Sequence, residues 1–262
     1  MNLGAIELSI LLPAFVAGLL VTATHVPLGM QVLARGIVFI DLAIAQVAGC
    51  GVLLADQLGF EPEGIAVQIA ALVAALGGAL LLTWTEKLWP DVQEAVIGVV
   101  FVLAASGSVL LLASNVHGSE HLRDLLVGQI LWAQPVRLLW TALVYAVVLV
   151  LWFGARERLG RAGFYVLFAI AVTVSVQLVG VYLVFATLIV PPLATRRMAR
   201  GRLPVAMALG AAGYAIGLVL STALDLPSGP AIVWVLVVLA LGCYVLTTRA
   251  APAAAAQGSN AR

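Results

Sequence analysis

Two patches of this 262-residue chain hold side chains that could bind a cation inside or beside apolar sequence. The first is "RGIVFIDLAIAQVAGCG", Arg35 to Gly51, with Asp41 and Gln46 inside an otherwise greasy stretch. An ionised carboxylate at mid-membrane costs about 3 kcal/mol, so it normally faces the interior of a bundle or a water-filled path. On a helix, Ala45 and Ala48 share the face of Asp41, whereas Gln46 lies about 140° away. Asp41 is therefore either a ligand for a passing cation or a hydrogen-bonded tie between two helices. The second patch is "SNVHGSEHLRDLLVGQILW". There His117, Glu120 and His121 offer nitrogen and oxygen ligands at i, i+3 and i+4, a set that suits a borderline metal such as zinc. The same residues also read as an ordinary solvated loop. His25 stands alone at the end of an apolar run and reads as structural.

Catalytic chemistry finds no such footing. The chain has no HExxH, no P-loop, no G-x-S-x-G and no second intramembrane aspartate to complete a protease dyad. It is not an enzyme, and it cannot hydrolyse ATP itself.

The elements that must position these residues follow from composition. Hydrophobic residues make up 63% of the chain and charged ones 10%, against roughly half and about a quarter in soluble domains. So few charges cannot cover a soluble surface. Long unbroken apolar runs exclude a barrel, whose strands would alternate. Helices satisfy their own backbone groups in lipid, so the fold expected is an all-α polytopic transmembrane helix bundle. A net charge of +1 and no dense basic cluster exclude a nucleic-acid partner. Cys50 and Cys243 form no CxxC pair and read as small buried hydrophobes. The first segment carries a glutamate instead of a basic n-region, so it reads as an uncleaved span. Residues 1–249 form one membrane domain, and the polar, Ala-rich 250–262 reads as a disordered tail.

Apolar runs fall at about 9–24, 37–55, 64–83, 95–114, 138–153, 163–194, 204–223 and 230–248. Residues 122–132 are too short to cross and are expected at the interface or re-entrant. The run 163–194 is the odd one: as a single helix it would span about 48 Å, too long for one upright crossing. With Gly180 in its middle it is expected to be broken or folded back, giving eight or nine membrane segments. The positive-inside rule supports this. If the run returns to the side where it began, eleven of the thirteen Lys and Arg residues lie inside and only Arg123 and Arg137 outside. A single crossing would split them eight to five. The polarised arrangement puts the N-terminus outside and the C-terminus inside.

"GVYLVFATLIVPPLATRRMARGR", Gly180 to Arg202, passes from apolar to strongly basic. Pro191 and Pro192 are expected to interrupt its helix. The basic part serves either as a positive-inside anchor or as a docking surface for a cytoplasmic protein.

Four segments together resemble a known family. "RGIVFIDLAIAQ", "HGSEHLRDLLVGQILW", "VGVYLVFATLIVPPLATRRM" and "LDLPSGPAIV" are similar, in order, to segments of the permease subunits of metal-ion ABC importers, the ABC-3 family for zinc, manganese or iron. The resemblance covers most of residues 30–248. It implies a multi-pass subunit of the bacterial cytoplasmic (inner) membrane that moves a divalent transition metal, zinc foremost, by alternating access. It implies a second permease protomer as homodimer partner, two cytoplasmic ATPase subunits that alone bind ATP, and a periplasmic or lipid-anchored metal-binding protein. No cofactor is bound by the chain itself. Asp41 matches the aspartate of the family's "G-D-x-L-x-H", a metal site in the path, but the histidine position is Ala45 here. Gln46 is one residue late. Pro191, Pro192, Ala194, Thr195, Arg196 and Arg197 match the region that couples to the ATPase. An autonomous secondary cation transporter using Asp41 as its coupling site is the competing reading; a single intramembrane carboxylate is thin for coupled exchange.

Overall fold

A computed structural model describes residues 8–61, 64–112 and 130–259. Among these, no strand occurs. The helices are α1 (Leu8–Arg35), α2 (Ile40–Gln57), α3 (Ile65–Leu88), α4 (Gln93–Leu112), α5 (Pro135–Val179), α6 (Val181–Ala194), α7 (Arg202–Leu224) and α8 (Ser228–Ser259). Short 3-10 turns at Pro90–Val92 and Ile130–Trp132 precede α4 and α5. Helix α5 is broken at Gly160 (φ 60°, ψ −152°) into two limbs, Pro135–Ala155 and Arg158–Val179. Counting the limbs separately, eight helices are long and apolar enough to cross a membrane, and α6 is a shorter apolar helix. Large apolar side chains point outward on most of them, for example Ile65, Val150, Trp234 and Leu246. A chain in water would bury such residues, and lipid accepts them.

The long run after residue 158 is broken as expected, and the break is Gly180. Its φ of 83° and ψ of 159° lie in a region that residues with a Cβ avoid. The second limb of α5 runs antiparallel to α1: Arg35 lies over the ring of Phe164, 4.3 Å from its centroid, and His25 meets Ser175. After Gly180 the chain turns back beside α1. A Cβ on Gly29 would sit 1.8 Å from the Leu188 carbonyl oxygen and 3.2 Å from Pro192. Only glycine permits that approach. The end of α6 therefore heads toward Arg35, and both basic segments, 155–161 and 196–202, lie at the same end of the bundle.

Two sequence expectations are corrected. Helix α1 does not stop near residue 24 but continues through Pro13 and Pro27 to Arg35. Packing against α5, α6 and α7 compensates for the backbone bonds that the prolines remove. His25 is consequently in mid-helix, fully buried. Pro191 and Pro192 do not interrupt α6 but form its last turn. There the cost falls on only two carbonyls, Thr187 and Leu188, whose donors would be residues 191 and 192. Helix α8 is bounded by Ser228 and Ser259.

The helices fall into two groups. Helices α2, α3 and α4 pack on one another and, through α3 and α2, on α5; α1, α6, α7 and α8 form the second set. Helix α1 joins the sets through its contact with α5.

Candidate functional site

Asp41 sits in the first turn of α2 and is fully buried, 0% exposed. Its position follows from the turn before it. Gly36 (φ 70°) closes α1, with Gly36 N–H donating to Leu33 O at 3.4 Å and Ile37 N–H to Val32 O at 3.3 Å, the pattern of a Schellman stop. Four residues later α2 begins, its N-terminal Phe39 N–H donating to Glu94 Oε1 of α4 at 3.3 Å. Phe39 also stacks on Phe185 of α6, 6.4 Å between centroids and 3° between planes.

Neither carboxylate oxygen of Asp41 has a hydrogen-bond partner. This matters for the choice left open by sequence, because a tie between helices requires a partner. A buried carboxylate without one costs several kcal/mol, offset in part by the favourable dipole of the helix start. Ala45 and Ala48 are buried on the same face. Helix α3 occupies the side of Val47 and Gly51, and α4 the side of Cys50, whose thiol lies 2.9 Å from Ala104 O and 3.1 Å from Ser108 Oγ. The Asp41 face is opposite Cys50, toward α5 and α6, the other helices that α2 contacts. Gln46 is half-buried. Among the described residues no group of three or more His, Cys, Asp or Glu side chains could hold a metal ion. Among the described residues, Asp41 thus belongs to no such cluster. His117, Glu120 and His121 lie outside the described residues, as does most of the 122–132 segment.

The segment Pro191 to Arg197 divides into a buried and an accessible part. Pro191, Pro192, Ala194 and Thr195 are buried. The Thr195 hydroxyl sits 3.2 Å from both Pro191 O and Pro192 O, capping the end of α6. Arg196 and Arg197 are exposed, and Arg197 lies over the Tyr244 ring of α8 at 5.3 Å. Arg161 of the other basic segment is exposed and stands 3.9 Å from the half-buried Glu86 of α3.

Sequence reasoning missed one polar set. His25 of α1, Ser175 of the second α5 limb and Tyr145 of the first form a continuous buried chain. The signal available was the histidine itself, within one turn of Pro27, but its partners lie 120 and 150 residues away. No local pattern joins them.

The sequence matches the model of the ABC 3 transport family over residues 7–162 and 154–247. The fold is similar to that of PsaBC from Streptococcus pneumoniae, solved in complex with a Fab, with a TM-score of 0.73 and 21% identity over 92% of this chain and 93% of that one. It is similar also to a metal-chelate type ABC transporter in an inward-facing conformation, with a TM-score of 0.65 and 17% identity over 90% of this chain and 85% of that one.

Proposed function

The chain belongs to the ABC 3 transport family, and from that premise we propose that it is the permease subunit of an ATP-driven importer for a divalent transition metal, zinc, manganese or iron. The observation that carries this reading is the fully buried carboxylate of Asp41, with both oxygens unpartnered. Such a group is destabilising unless a cation passes it. A divalent metal moving between α2 and the α5–α6 side would exchange part of its hydration for Asp41 oxygens. Because Ala45 supplies no imidazole, the hold is weak, and a path must release what it takes. Two protomers would offer two carboxylates, matching a 2+ ion.

Energy enters at the other feature. A cytoplasmic ATPase subunit docks on the exposed Arg196 and Arg197, with the α6 end held behind them by the Thr195 cap. Helix α6 continues from that end into the bundle beside α1 and reaches Phe39 through Phe185. A push on the basic loop is therefore delivered close to the start of α2, two residues before Asp41. A metal-binding protein would approach the opposite end, and a second copy of the chain would complete the path. The end bearing the basic segments faces the cytoplasm in this reading, as the positive-inside rule requires.

The test is metal accumulation in a strain lacking the chromosomal copy. Asp41→Asn, which keeps shape and removes charge, is expected to abolish uptake of Zn2+ and Mn2+ while the protein is still made and inserted. Normal accumulation in that variant overturns the reading.

A further inference from the structure

We infer that the bond between His25 and Ser175 is a breakable latch between the two groups of helices, and that His25 is a positioning residue for Asp41's group. His25 and Ser175 are 0% exposed and Tyr145 is 1% exposed. His25 Nδ1 is 3.1 Å from Val21 O, which only accepts, so Nδ1 carries the hydrogen and Nε2 of the neutral ring accepts. The Ser175 hydroxyl, 3.1 Å away, has one hydrogen that reaches either Nε2 or Ala171 O. The Tyr145 hydroxyl in turn donates to Ser175 Oγ.

What makes this a latch instead of a permanent tie is where each remaining bond goes. His25 Nδ1 is bonded within α1. Ser175 has a second acceptor in its own helix, Ala171 O at 2.7 Å. Tyr145 and Ser175 belong to the two limbs of α5 and stay together. One bond alone in this chain, His25 Nε2 to Ser175, joins α1 to α5. When it opens, only the serine hydrogen turns, to Ala171 O, where Oγ already lies 2.7 Å away; the tyrosine keeps its acceptor and the histidine keeps its donor bond. A single acceptor is left without a partner. Both states are therefore close in energy, as a two-state element requires. The other α1–α5 contact described above, Arg35 over the Phe164 ring, lies at the far end of the pair, ten residues along α1 from His25.

The location gives the latch its role. Helix α1 packs on α6 and α7, which flank the exposed arginines, whereas Asp41 belongs to the α2–α5 group. Its importance for transport rests on the proposed function; its existence as a switch does not.

The experiment uses the full chain in lipid nanodiscs, with Cys50→Ser and Cys243→Ser, and spin labels at Leu19 on α1 and Val150 on α5. These positions are 38% and 70% exposed. Distances are read by double electron–electron resonance. The unaltered latch is expected to give one main distance. His25→Phe and Ser175→Ala should add a second, shifted population, and His25→Gln, whose amide oxygen accepts from Ser175, should restore the first. Tyr145→Phe leaves the His25–Ser175 bond in place and should match the unaltered protein. Unchanged distances in both His25→Phe and Ser175→Ala overturn the latch, as does a loss of folded protein in those variants that His25→Gln shares. Uptake indifferent to Asp41→Asn, with distances that still respond to His25, overturns the transport reading and leaves the latch standing.

Discussion

Thr187 of α6 and Tyr214 of α7 meet hydroxyl to hydroxyl at 2.9 Å, both fully buried. Thr187 also donates to Leu183 O at 2.7 Å, so the tyrosine is the donor between the helices. Tyr214 fills the space above Gly18 of α1 with its ring. One side chain thus holds three helices of the group that carries the basic loop.

Tyr214→Phe removes that donor and keeps the ring. Interhelical hydrogen bonds in membrane proteins contribute about 0.6 kcal/mol on average and at most about 1.7, and Thr187 keeps its Leu183 bond. A loss of about 0.5–1.5 kcal/mol is expected in denaturant titration of the detergent-solubilised chain. Tyr214→Ala, which also empties the ring's volume, should cost about 3–5 kcal/mol. Equal losses for the two variants would mean that the hydrogen bond, not the packing, carries the site.

At Gly29 the prediction concerns space. The added methyl of Gly29→Ala would fall 1.8 Å from a carbonyl oxygen that cannot rotate away. Helices α1 and α6 must separate, and overpacking of this kind costs about 1–3 kcal/mol. Gly77→Ala on α3, where nothing lies within 4 Å of the new atom, is the control: higher helix propensity should leave it neutral or about 1 kcal/mol more stable. A midpoint comparison of the two variants reads out the difference directly.

Much of this architecture is legible in the sequence, for physical reasons that can be named. Lipid forces whole helices, so composition and run length reach the bundle and the count of segments. Gly180 announces its break because a positive φ leaves few other residue types. The charge count anticipates that 155–161 and 196–202 share one end. Boundaries at prolines are less readable. A proline's local cost is fixed, yet neighbours repaid it at Pro13 and Pro27, and the last-turn position reduced it at Pro191 and Pro192. At the candidate site, helical periodicity places Asp41 with Ala45 and Ala48 and sends Gln46 elsewhere. It cannot say whether a buried carboxylate finds a partner, because that depends on α5 and α6, far along the chain. The same distance hid the link from His25 to Ser175 and Tyr145.

If the proposed function holds, Asp41 should oppose stability while serving transport. An unpartnered carboxylate inside a bundle is costly, and replacing it with an apolar residue of similar volume removes the desolvation penalty. Asp41→Leu is therefore expected to raise the unfolding midpoint of the metal-free chain while abolishing uptake. Thermal unfolding in detergent and metal accumulation in cells measure the two effects separately. A fall in the midpoint would mean that Asp41 has a structural partner after all, as a helix-to-helix tie would require.

The last prediction concerns the exposed arginines. Arg196 and Arg197 are exposed, and Arg197 lies over Tyr244, a contact worth about 0.5–1 kcal/mol at an exposed site. Reversing both to glutamate should therefore leave the fold almost unchanged, with a midpoint within about 1 kcal/mol of the unaltered chain. Against an acidic partner surface, however, like charges cost several kcal/mol. Arg196→Glu with Arg197→Glu is expected to lose co-purification with the ATPase subunit at low salt, and Tyr244→Leu to retain it. If the doubly reversed chain still pulls down the ATPase in normal yield, the docking surface lies elsewhere at this end, with Arg158 and Arg161 the next residues to reverse.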